Sequence, residues 1–190
     1  MNKRITAIAL MLLLSAPLFG QEGAGAEPLG DYLERQARIQ RLGMLTLGGW
    51  AATNIAAGTA LYFADEPRRD FHQMNVLWNS VNLGLAIPGY LSALEPARPE
   101  TISEAIESQH NFEKLLLFNA GLDVAYMIAG VYMRELGRRP DTPDPRLEGW
   151  GGSIILQGAF LFAFDLVLYF VSSGNRDYRP FINETSPNRS

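Results

Sequence analysis

The chain has 190 residues, no cysteine and a formal net charge of −4. That length allows one domain, or one membrane bundle with tails. The missing cysteines exclude disulfides, thiolate metal sites and cysteine lipidation, and the acidic balance argues against a nucleic-acid partner. Mean hydropathy is −0.01, an average that hides apolar blocks set between charged tails and loops.

Residues 1–20 predict a secretory signal peptide. Lys3 and Arg4 precede an apolar run over residues 5–14, and residues 15–20 supply small residues and Pro17. The expected cleavage falls after Gly20 or after Ala26. The rival reading is an uncleaved anchor, but the run is shorter than the ~20 residues a span needs. Residues 21–30 read as a disordered linker. From Asp31, a residue suited to capping a helix start, Tyr32, Leu33, Ala37, Ile39 and Leu42 interleave with Glu34, Arg35, Arg38 and Arg41. This pattern predicts an amphipathic helix that lies at the interface or leads straight into the first span.

The remainder predicts an all-α, antiparallel four-helix transmembrane bundle with a polar core, covering residues 31–173. The first span is expected at about 42–64, where Gly48, Gly49 and Gly58 suit close helix packing. A short turn with Pro67 leads to the second span, about 71–94. There His72, Asn75, Asn79 and Asn82 fall on one face, because residues three and four apart stack on a helix. Pro88, with Gly84 and Gly89 nearby, predicts a kink or a short unwound piece. Residues 101–104, Thr-Ile-Ser-Glu, have the form of a capping box and open a long helix whose later part, about 114–133, is the third span. On it Asn119, Asp123, Tyr126 and Gly130 share a face. A linker rich in proline and arginine precedes the fourth span, about 151–171, which carries Gln157 and Asp165 with Leu161 between them. Residues 174–190 read as a polar tail.

Charge sets the expected topology. With the mature N-terminus outside, the links after spans one and three lie inside and carry Arg68, Arg69, Arg134, Arg138, Arg139 and Arg146, as the positive-inside tendency requires. The expected location is a bacterial inner membrane, with both termini periplasmic. Arginines in the two tails run against this orientation.

Placed on a hydrocarbon layer ~30 Å thick, Asn54, Asn82 and Asp123 come out near mid-depth and Asp165 within a turn of it. The candidate ligand- or ion-binding set is therefore Asp123, Asp165, Asn54, Asn79, Asn82, Asn119 and Gln157. The amides by themselves read first as adhesive, since such groups join membrane helices at about 0.6–2 kcal/mol each. The aspartates argue for more, because a charged residue at mid-span costs about 2.5–3.5 kcal/mol on insertion scales and asparagine would glue without that cost. They would be protonated against the amides, share one proton, or hold a cation. His72 and His110 fall near opposite faces and predict no shared metal. Trp50 and Trp78 read as packing residues. No catalytic residue, metal set or cofactor is expected.

The residues Trp50-x-x-x-Asn54-x-x-x-Gly58, Met74-Asn75-x-x-Trp78-Asn79-x-x-Asn82, Asn119-x-Gly121-Leu122-Asp123 with Tyr126, and Gln157-Gly158 with Phe164-Asp165 carry a resemblance. Over residues 43–169 the chain resembles an uncharacterised family of small bacterial four-helix integral membrane proteins. The resemblance implies the fold and four spans, and no activity. Three functions follow in order. The first is a protein that binds or passes a proton, small cation or small polar ligand through the Asn/Asp core. The second is a structural or accessory subunit, with the lipid bilayer and a membrane-protein partner or second copy as its contacts. The third is an enzyme using the two carboxylates on a lipid-borne substrate.

Overall fold

The computed structural model describes residues 28–96, 99 and 101–175. The expected signal peptide lies outside the described residues, as do residues 21–27 of the linker and 176–190 of the polar tail; the last three linker residues, 28–30, are helical. Among the described residues there are four α-helices and no strand: α1 (Pro28–Ala64), α2 (Arg69–Leu94), α3 (Ile102–Gly137) and α4 (Pro145–Gly174), with a single 3-10 turn at Glu66–Arg68 between α1 and α2.

Helix α1 is one unbroken rod of 37 residues. The amphipathic segment thus leads straight into the following apolar stretch. Asp31 stands inside the first turn of α1 and does not cap it, because helical geometry already begins at Pro28. Helix α2 continues through Pro88 to Leu94. The expected unwinding is absent: the ring of Pro88 is exposed, so losing one backbone bond does not break the rod. Thr101 caps α3 as its sequence suggests, accepting from the Glu104 backbone N–H. Asp144 does the same for α4, accepting from the N–H groups of Arg146 and Leu147 at 3.0 and 3.2 Å, with Pro145 filling the first helical position. Beside this start, Glu148 accepts from the Arg138 guanidinium at 2.7 Å and raises its pKa.

The helices form two antiparallel hairpins, α1–α2 and α3–α4, that meet mainly through α2 and α4. Contacts fix the register. Gly48 lies against Ala86 and Gly89 against Met44 in the first hairpin. In the second, a Cβ on Gly130 would come within 2.8 Å of the Gly151 carbonyl oxygen and 3.1 Å of the Ile155 nitrogen. Only the missing side chain lets those backbones touch. Between hairpins, Trp150 donates to Gln73 at 3.3 Å and Gln157 donates to Asn75, so α2 and α4 run parallel. The central pair of an otherwise antiparallel arrangement is therefore parallel.

The packing inverts the usual soluble pattern. The largest fully buried side chains are Tyr32, Gln109, Gln157, Asn79, Ser153 and Ser172, most of them amides and hydroxyls. Large apolar side chains point outward: Phe63 is 79% exposed, Phe170 66%, Ile128 65% and Leu85 63%. A globular protein in water hides such groups and wets its amides. By length and composition, α3 and α4 are apolar enough to cross a membrane.

Candidate functional site

The buried face of α2 is built from His72, Asn75, Asn79, Asn82, Ala86 and Ala93. The helical repeat puts all six in one stripe, and the polar four sit together at its start. Asn75 is the hub. Its Nδ2 donates to Asn54 Oδ1 at 3.1 Å, its Oδ1 accepts from Gln157, and its backbone carbonyl accepts from Asn79 Nδ2 at 2.8 Å. Asn82 Nδ2 approaches Asn79 Oδ1 at 3.4 Å. Gln157 in turn accepts from the indole N–H of Trp50 at 2.9 Å. Three helices, α1, α2 and α4, are thus tied by side-chain amides, and Asn54, Asn75, Asn79 and Gln157 each both donate and accept.

Trp50 does more than fill space. Its ring stacks on Phe160 with centroids 3.9 Å apart and planes 5° from parallel, so stacking and hydrogen bond together fix the indole. Trp78 packs edge-on against Tyr126 at 5.0 Å. At the end of the stripe His72 Nε2 lies 3.3 Å from Asp65 Oδ2, and Asp65 also holds Arg68 at 2.9 Å. His110 is one residue from Gln109, whose contacts lie at the opposite end of the bundle. Among the described residues, no three His, Asp or Glu gather as a metal site would require.

Asp123 and Asp165 come from α3 and α4 and are 3% and 6% exposed. The two carboxyl groups lie close enough to interact. Gly158 permits this closeness: a Cβ there would meet the Asp123 carbonyl oxygen at 3.0 Å and Met127 Cγ at 2.9 Å. Asp123 Oδ2 is buried without a hydrogen-bond partner. No Lys or Arg is buried among the described residues, so no cation answers the pair. Asn82 and Asp165 lie seven and eight residues beyond the Asn75–Gln157 contact on parallel helices. Both are therefore ~11 Å further along the bundle, at one level.

Of the seven residues singled out by sequence, Asn54, Asn79, Asn82 and Gln157 join one hydrogen-bonded chain, and Asp123 and Asp165 form a pair. Asn119 is only half-buried and enters neither among the described residues. Asn75 and Trp50 belong to the chain and were not in that set. A second network was not anticipated. Tyr32 donates to Gln109, Gln109 Nε2 donates to Glu113 Oε1 at 2.9 Å and to the Ser172 carbonyl at 2.6 Å, and Ser172 Oγ approaches Glu113 Oε1 at 3.4 Å.

Fold and site together define an all-helical bundle with an amide- and carboxyl-lined interior. A family model described as a family of unknown function (DUF6992) matches residues 46–166, and the chain belongs to that family. The match contains the Trp50–Gln157–Asn75 chain and both aspartates. No curated protein and no solved structure matches the chain significantly.

Proposed function

We propose that the protein is an integral membrane protein, its four α-helices all crossing the bilayer, that takes up and passes a proton at Asp123 and Asp165. The supporting observation is the inverted packing: apolar side chains outward on every helix, amides and two carboxyls inward. A polar interior enclosed by an apolar exterior is the arrangement lipid selects. α1 and α2 qualify by this inversion although their average hydropathy is modest. The asparagines of α2 lie on its buried stripe, and the exposed Thr46, Thr53 and Ser80 return their hydroxyls to backbone carbonyls of their own helices.

A proton suits the pair better than a metal ion. Two facing carboxyls share one proton readily, whereas a hard cation asks for six or so oxygen ligands. The expected location is a bacterial inner membrane, with the links at Glu66–Arg68 and residues 138–144 on the cytoplasmic side.

The test is reconstitution into vesicles carrying an internal pH-sensitive dye. A pH gradient of one unit is expected to drive acidification that Asp123→Asn and Asp165→Asn each reduce about tenfold or more. Variants that fold and conduct like the wild type would remove the proton reading and leave the pair as an adhesive contact.

A further inference from the structure

The second polar network acquires a role from its position on the same axis as the aspartates. Glu113 is 2% exposed and Gln109 and Ser172 are equally enclosed. Gln109 from Glu113's own helix and Ser172 from α4 reach the Glu113 carboxyl, and Tyr32 from α1 donates to Gln109 behind it. Along α3, Glu113 precedes Asp123 by ten residues, ~15 Å of helix rise. Along α4, Ser172 follows Asp165 by seven.

The buried residues between them are apolar. Leu116 and Ala120 separate Glu113 from Asp123, and Leu168 separates Ser172 from Asp165. Leu116 and Leu168 pack with Ile39 of α1 into one cluster, flanked by Phe112 and Phe164. The cluster joins α1, α3 and α4 between the two polar groups. Even the shorter stretch along α4, seven residues or ~10.5 Å of rise, is too long for a direct proton hop and needs water, and an apolar constriction excludes water by dewetting.

We propose that Glu113, held by Gln109 and Ser172, is the outer proton station of a path leading to Asp123 and Asp165, and that Ile39, Leu116 and Leu168 form the seal between the two. The inference rests on the proton reading of the aspartates but adds to it a new carboxyl and a barrier. A proton entering from the N-terminal end of α3 protonates the Glu113 carboxylate. When water wets the layer, that proton passes to the aspartate pair, restoring the carboxylate.

The experiment thins the layer in the full chain and reads vesicle acidification. Leu168→Ala and Leu116→Ala are expected to raise flux at least about fivefold over wild type. Adding Glu113→Gln or Asp165→Asn is expected to abolish that rise. If alanine variants do not fold, Leu168→Val and Leu116→Val replace them, with detergent melting as the check on structure. Folded variants whose flux stays at the wild-type level overturn the seal, while the response of the wild type to Asp165→Asn judges the pair separately. A rise that survives Glu113→Gln but not Asp165→Asn overturns the outer station alone. A rise that survives Asp165→Asn overturns the whole path.

Discussion

At the scale of single residues, Gln157 is the most consequential amide. It accepts from Trp50 and donates to Asn75, so it joins α1 and α2 to α4. Gln157→Leu takes the partner from the half-buried Trp50 N–H and leaves Asn75 Oδ1 only the 3.4 Å contact from Asn79, and a buried polar group left unpaired costs about 1–3 kcal/mol. Detergent unfolding is expected to show a loss in that range or above. Asn82→Ala gives up one long contact of 3.4 Å and is expected to cost less than half as much. The stripe that leads to these residues was legible in the sequence, because amides spaced three and four apart in an apolar run have few other readings. The hub role of Asn75 was not, since nothing local separates Asn75 from Asn79. Only the α2–α4 register decides which of them faces Gln157. Trp50 was hidden in the same way: its N–H needed a partner 107 positions away.

At the scale of elements, the α3–α4 hairpin depends on contact between backbones. Gly130→Leu puts a side chain into the Gly151 carbonyl. It is expected to destabilise the hairpin by about 1–3 kcal/mol or more, as overpacking does, read by thermal melting in detergent. Gly121 lies on the same helix with open space around it. Gly121→Ala is expected to be neutral, or to stabilise by up to about 1 kcal/mol through helix propensity. The four helices themselves were readable from length, periodicity, the prolines between them and the capping box at residues 101–104. The length of α3 was readable from its capping box as well; the burial of the first turns of α1 and α3 was not. Their first turns carry charges that look like a wetted surface, and Tyr32, Gln109 and Glu113 are enclosed only because those turns pack on each other and on the end of α4. Pro88 did not unwind α2, which runs on as helix through it to Leu94.

At the scale of the whole molecule, burial is inverted, and with no native cysteine single thiols can map it. Leu85→Cys, Val131→Cys and Phe170→Cys are expected to resist a water-soluble maleimide in intact vesicles and to react after solubilisation. Thr142→Cys is expected to label from one side only, the side that also reaches Glu66→Cys, and Ser103→Cys from the other. Labelling of the three apolar positions from water would contradict a lipid-facing exterior.

The uninterrupted run of α1 carries a mechanical consequence. From Tyr32, pinned to Ala105 and Gln109 at one end, to Trp50, clamped on Phe160 and Gln157, the backbone spans ~27 Å of continuous helix. No hinge interrupts that distance to absorb a push. Whatever tugs or twists the first turns of this rod therefore moves the indole directly, as a crankshaft turns whatever is keyed to it.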